Sequence, residues 1–408
     1  MPDQHRNALF LIIGLLLAAL MALAACALVF TLLDRPAPTS SPPATPTRTP
    51  QPTRPTTTPL PTQPLPTATA TPTSSPTPSP LPSQAAPAVN KGSKLGVHGI
   101  WPNRILEFTQ VLAEAGAPFK IVKAVDDLSW LKDVKRISPE TVTVGRLTHA
   151  HEGAVLVNDP GTDLDGYAAL IMEPILTKVQ DDPTLRQAVT YWEPTNEPLG
   201  GGVPSEAYAR LAQLTIKCMD VAEANGLKLA IFGFNAGTPE WADLLALAET
   251  GVFARAKAGG HILSLHEGVF GDDAIDKWWN VHNVDGEGAP TTENTGVTAP
   301  GGWIPGAPVL EGAGALCLRY RFLYHLLQER DEVVPLFVSE FYAGGGYDAA
   351  DKADVVARMG WYDGQLGADD YVLGFAPFTL GPTPGWEGHD YEAFYVGEDG
   401  LVAFMMGR

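Results

Sequence analysis

Short apolar runs and helical patterns alternate along roughly the last 320 residues, and that alternation restricts the architectures open to the chain. Residues 95–101, 119–125 and 141–147 read as the first three strands. A fourth begins at Val189, and further strands are predicted over 228–234, 261–266, 333–340 and 371–378. Helical patterns fill 104–115, 165–179, 205–225, 310–330 and 349–366, and Thr238-Pro239-Glu240 opens another. Asn103 is placed to cap the first helix and Gly116 to close it; Ser205 and Gly226 are placed likewise around the 205–225 helix. Residues 390–406 carry Gly397 and Gly400 and read as a broken helix or a hairpin. Eight strands separated by helices predict an α/β fold, a (β/α)8 TIM barrel.

The fourth strand ends in an unusual way. Val189-Thr190-Tyr191-Trp192 favours the pleated backbone, and Glu193-Pro194-Thr195-Asn196-Glu197-Pro198 follows. The two prolines cannot donate to a ladder, so the strand stops and delivers Asn196 and Glu197 to its end. A carboxyl beside a Trp and between prolines is expected to be poorly hydrated, with a raised pKa suited to a general acid. The seventh strand behaves similarly: an apolar run reaches Ser339-Glu340-Phe341-Tyr342 and breaks at Ala343-Gly344-Gly345-Gly346. The two glutamates stand 143 positions apart, room for three β/α units.

Active sites of such barrels lie at the C-terminal ends of the strands. That rule gathers His98 and Trp101 from strand one and Arg146 from strand three, with His149 and His151 beyond it. It adds Asn235 from strand five, His266 and Glu267 from strand six, and Tyr342 from strand seven. Strand eight brings Phe378, with Trp386 in the loop after it. Hydroxyl-bearing ligands need directional donors and acceptors, and pyranose faces stack on aromatic rings. Glu267 is expected to face solvent, and Trp192 to pack in the core.

Asn196-Glu197-Pro198 at a strand end, with Glu340 at the end of the seventh strand, resembles the (β/α)8 glycoside hydrolases of clan A, in particular families 5 and 39. The resemblance implies a retaining glycosidase in which Glu197 is the acid/base and Glu340 the nucleophile. It implies that Asn196 holds the sugar 2-hydroxyl and that His266 serves the site from strand six. Arg146, Tyr342, Trp386, Trp101 and His98 complete the expected substrate-binding set. Clan members usually carry an arginine near the nucleophile on the second strand, whereas Arg146 falls on the third. This reading needs no cofactor and no metal. Its partner is a neutral β-linked oligosaccharide or polysaccharide, and the chain is expected to act as a monomer.

Two rival readings use the same barrel. His149-Ala150-His151 puts two imidazoles on one side of an extended segment, as a metal-dependent hydrolase would, but the further ligands of that chemistry cannot be placed. The other rival is a non-catalytic carbohydrate-binding surface protein.

The N-terminus sets the expected location. Residues 8–33 form 26 consecutive uncharged positions, long enough to span a bilayer, behind a stub containing His5 and Arg6. Leu23-Ala24-Ala25-Cys26 resembles a bacterial lipobox, but the apolar run continues past Cys26. An uncleaved signal anchor is therefore expected, with a lipoprotein anchor at Cys26 as the alternative. Residues 36–88 contain 18 Pro, 14 Thr and 6 Ser among 53 positions, a composition that cannot bury a core and reads as a disordered, extended stalk. The membrane is thus an expected partner, and residues 89–408 are expected to form an extracellular catalytic domain.

The whole chain carries −19 and its first 88 residues +2, which leaves −21 on the remainder. That surface repels nucleic acid and anionic polymers. Cys218 and Cys317 fall in helical patterns and are expected to be buried and reduced, since three cysteines make no disulfide framework. Residues 271–314 are too long for an ordinary connection and carry Trp278, Trp279 and Trp303, as a substrate cleft or an aromatic plug requires.

Overall fold

The computed structural model describes residues 92–199, 202–269, 306–308, 310, 312–314, 316–344 and 351–407. All of them belong to the second of the chain's two units, Met1–Thr77 and Pro78–Arg408. The expected anchor and stalk, and most of the 271–314 segment with its three tryptophans, lie outside the described residues. Among the described residues, no helix is long and apolar enough to cross a membrane.

Strands and helices alternate in the predicted order. The first half runs β1 (Val97–Gly99), α1 (Ile105–Glu114), β2 (Ile121–Val125), α2 (Leu131–Ile137), β3 (Val142–Arg146), α3 (Leu164–Asp181), α4 (Leu185–Ala188) and β4 (Tyr191–Glu193). The second runs α5 (Ser205–Ala224), β5 (Ala230–Phe234), α6 (Trp241–Glu249), α7 (Val252–Gly259), β6 (Ile262–Val269), α8 (Tyr320–Glu329), β7 (Leu336–Ala343), α9 (Lys352–Leu366) and β8 (Val372–Pro377). Two short helices close the chain, α10 (Glu392–Tyr395) and α11 (Leu401–Met406), so the glycine-interrupted end is a broken helix. β1 to β4 pair in parallel in that order, as do β5 to β8. Parallel bridges Trp192–Leu229 and Leu95–Phe375 join the two halves, which closes an eight-stranded barrel.

Side chains alternate along each strand, so every second residue faces the barrel axis. Ile121, Val144, Tyr191, Ala230, Ile262, Phe337, Leu373 and Ala376 meet there as a separate buried cluster, the apolar floor of the barrel. The outward residues, among them Val122, Ala124 and Phe341, pack beneath helices that contribute Leu211, Leu323 and Met359. Cys218 and Cys317 are buried, free thiols, as expected.

Several sequence expectations need correcting. Asn103 does not cap α1: its side-chain amide donates instead to the Leu380 carbonyl at 2.9 Å, tying the β1 loop to the β8 loop. Ser205 is the first residue of α5 rather than its cap, and its hydroxyl donates to Asp243 at 2.6 Å. The capping box lies one helix later, where Glu240 and Asp243 exchange bonds with each other's backbone at the start of α6. β7 starts only after Pro335, which lacks an amide proton, and both β6 and β7 run past their predicted ends. The extension comes from pairing Glu267, Gly268 and Val269 with Phe341, Tyr342 and Ala343 beyond a register shift at Leu265/His266. At Gly268 (φ +120°) a Cβ would lie 2.1 Å from the Tyr342 carbonyl oxygen, so this approach requires glycine.

Glu267 does not face solvent. It is buried outside the barrel wall and accepts from the Leu318 and Tyr320 backbone amides at 2.6 and 3.1 Å and from the Tyr362 hydroxyl at 2.5 Å. It thereby serves the otherwise unpaired amides at the start of α8. Burial pushes its carboxyl up to about 7, against the pull of those donors. A folded value above the ordinary 4.5 stabilises the fold below about 4.5, and this contribution is lost as pH rises through about 7. Glu267→Gln should remove that dependence. The unfolding free energy of the wild type relative to the variant should therefore fall by about 3 kcal/mol between acid and neutral pH in urea titrations.

Candidate active site

The layer above the apolar floor is polar. β2 contributes Lys123, β4 Glu193, β6 Ser264 and β7 Ser339, all buried. The Lys123 ammonium lies 2.6 Å from Glu193 Oε2 and 3.1 Å from Glu340 Oε1. The other oxygen of Glu193 accepts from the Ser339 hydroxyl at 2.8 Å and from the Ser264 hydroxyl. One buried ammonium is thus shared by two buried carboxylates.

Glu340 is the upper of the two. Tyr342 donates its hydroxyl to Glu340 Oε2 at 2.7 Å, while His98 Nε2 and His266 Nε2 stand 3.7 and 3.8 Å from Oε1. Burial opposes ionisation of Glu340, but the surrounding His266, Lys123, His98 and Arg146 outweigh it and hold the carboxyl well below its ordinary value. Burial also drives His98 well below its own ordinary value, so it stands neutral at physiological pH. The Lys123 ammonium and the Arg146 guanidinium also act on Glu340. Glu193 is likewise held down: its burial is outweighed by Lys123, His266 and Arg146.

Glu197 sits in the loop after β4, and that loop is pinned from both sides. Its amide donates to the Gly233 carbonyl at 2.8 Å and the Thr195 hydroxyl to the Phe232 carbonyl at 2.8 Å, both on β5. On the β3 side, the Asn196 amide donates to the Glu152 carbonyl at 3.0 Å, and His149 Nε2 meets the Pro194 carbonyl at 3.0 Å. Gly233 has φ +67°, and a Cβ there would come within 2.8 Å of the Thr195 carbonyl oxygen. Glu197 itself adopts φ +46°, a left-handed conformation uncommon for a side-chain-bearing residue. Its side chain is 37% exposed, so the expectation of a poorly hydrated carboxyl is corrected: the turn lifts it out of the wall and into the cleft. Its Oε1 lies 3.1 Å from His266 Nδ1. One imidazole therefore spans the gap between Glu197 and Glu340.

The cleft above these groups holds about 460 Å³. Arg146, Asn196, Glu197, Glu340, Tyr342, Trp101 and Trp386 line it, with Asp126, Thr148 and Asn235. His98 and His266 lie just beneath. The structure thus brings all nine expected site residues together. Trp101 and Trp386 are 47% and 44% exposed where they line the cleft; Phe378 meets Trp386 edge-on at 5.1 Å. Several buried polar atoms here have no hydrogen-bond partner among the described residues: His98 Nε2, His266 Nε2, Asn196 Oδ1 and Arg146 Nε.

Sequence reasoning missed Lys123 and Glu193. The second-strand cation implied by the family resemblance is present, but it is a lysine. Arg146 is a further cation on β3, 3.4 Å from Glu152. A charged residue in the middle of the apolar run Ile121-Val122-Lys123-Ala124-Val125 was the available clue. His149 and His151 do not converge on one point. The first ring braces Pro194, and the second packs edge-on against Tyr167 at 5.8 Å.

No family model and no curated protein sequence matches the chain. Solved structures similar to it include glycoside hydrolases. A beta-mannanase from Thermomonospora fusca in complex with mannotriose is 16% identical; the match covers 76% of this chain and 91% of that one, with a TM-score of 0.38. A family 39 glycoside hydrolase from Bacteroides cellulosilyticus WH2 is 13% identical over 74% and 59% of the two chains, with a TM-score of 0.45. An endo-beta-1,3-glucanase from Pseudomonas viridiflava is 14% identical over 78% and 98%, with a TM-score of 0.37. At these values the chemistry of the site has to stand on its own geometry.

Removing the shared cation leaves two buried carboxylates uncompensated. Lys123→Met should therefore cost about 3–5 kcal/mol of stability, read as a lower urea midpoint at neutral pH.

Proposed function

We propose that the protein is a retaining glycoside hydrolase acting on a neutral β-linked glycan, with Glu340 as nucleophile and Glu197 as acid/base. The observation that carries this reading is the pair of unlike carboxylates on β7 and after β4. One is buried and held ionised by fixed cations; the other is lifted into the cleft, and a single histidine lies between them. Two carboxyls in such different surroundings suit different roles. Retention calls for a carboxyl separation of about 5–5.5 Å.

In this reading, Glu340 attacks the anomeric carbon while Glu197 protonates the departing glycosidic oxygen. Glu197 then takes a proton from the water that releases the glycosyl–enzyme intermediate. Tyr342 and Lys123 aim the nucleophile through its two oxygens. Asn196, beside Glu197, holds the sugar 2-hydroxyl. Unpartnered donors and acceptors around the cleft suit a ligand that is both, as a polyol is. Trp101 and Trp386 suit sugar faces. Asp126, Glu197 and Glu340 lining the cleft disfavour an anionic glycan. With the expected anchor and stalk, the enzyme would work at the cell surface, held by the membrane.

The full-length chain should release reducing ends from at least one of β-glucan, mannan, xylan, galactan or an aryl β-glycoside. Glu197→Gln and Glu340→Gln should each lower kcat by a factor of about 10²–10⁴ with the melting temperature preserved. Proton NMR of the first product should show the substrate's anomeric configuration retained. Full activity in either variant would remove the assignment, and inverted product would replace the covalent step with direct attack by water.

A further inference from the structure

The mechanism above gives no part to the buried Glu193. Glu193 lies wholly beneath the cleft, where no substrate reaches it, yet it is the nearer partner of Lys123, at 2.6 Å against 3.1 Å for Glu340. Its remaining contacts, two serine hydroxyls from β6 and β7, complete a fixed socket. Those serines also touch each other at 2.8 Å, and Ser339 precedes Glu340 in the chain.

We propose that Glu193 is a positioning residue that holds the Lys123 ammonium away from full contact with Glu340, so that the nucleophile stays ionised but not tightly paired. The inference takes Glu340 as the nucleophile and so rests on the reading above. The physical reason is competition. A lone buried carboxylate would claim the ammonium entirely, and a nucleophile locked in such a pair is a poor one. A second carboxylate on the same ammonium, itself held by two serine hydroxyls, draws the cation back and adds negative charge beside Glu340. The other groups facing Glu340 are His98 from β1, Arg146 from β3, Glu197 after β4, His266 from β6 and Tyr342 from β7. Of these, Arg146 and His266 also act on Glu193.

The arrangement has a signature in the sign of two shifts. Full-length protein carrying ¹³C at its glutamate carboxyls would be titrated as wild type, Glu193→Gln and the double variant Lys123→Met/Glu193→Gln. The Glu340 resonance is identified by its loss in Glu340→Gln. Glu193→Gln removes a neighbouring negative charge and commits Lys123 to Glu340, so the Glu340 midpoint should move down by about one pH unit. The double variant removes cation and anion together, which guards against an unfolded single variant. There the midpoint should move up by about one unit or more.

Shifts of opposite sign support the proposal. An unchanged midpoint in Glu193→Gln, or shifts of the same sign in both variants, overturns it and leaves Glu193 a structural ion. On an aryl β-glycoside, Glu193→Gln should lower kcat about tenfold with KM within about twofold of wild type; unchanged kcat also overturns it. A wild type without glycosidase activity would sink the catalytic reading, while the titration would still decide whether Glu193 controls the charge of Glu340.

Discussion

The buried ammonium of Lys123, shared between Glu193 and Glu340, is the interaction on which the site's electrostatics depend. A lysine buried this deeply is expensive to desolvate, and so is each carboxylate. With Arg146, which acts on both carboxylates, opposite charges meet above an apolar floor. That balance explains how Glu340 stays ionised where burial alone would neutralise it. It also explains why the polar layer comes from strands far apart in sequence: opposite charges must be brought together before any of them can be buried.

The rest of the wall follows from that cluster. β2 and β3 supply the cations, β4 and β7 the anions, and β6 a histidine facing both Glu197 and Glu340. The loop after β4 must then leave the strand direction to expose Glu197 while Glu193 stays below. It does so through left-handed backbone at Glu197, next to a glycine on β5 that gives it room. Hydrogen bonds from both neighbouring strands hold the turn. A polar environment fixed in this way, with little left to reorganise when charge moves, is the feature most enzymes rely on for rate.

Glu267 shows how misleading adjacency can be. It follows His266 in the chain, yet the pleat sends it through the opposite face of the barrel. There it binds the amides that open α8, with Tyr362 as a third donor. His266 and Glu267 are neighbours in sequence and serve opposite sides of one wall.

The sequence by itself determined the alternation of strands and helices, and with it the barrel, because periodicity is written locally in each segment. It also determined which rim residues would gather, since Asn196, Glu197 and Tyr342 follow or end apolar runs and barrel strands present their C-terminal ends to one rim. Only the tertiary structure decided which charges pair. Lys123 and Glu193 stood in plain view as single charges within or at the end of apolar runs, but their partners lie up to 217 positions away and become visible only when the sheet closes. The exposure of Glu197 was likewise decided by the fold: flanking prolines and a tryptophan describe its neighbours along the chain, whereas hydration depends on which way a left-handed turn points the side chain.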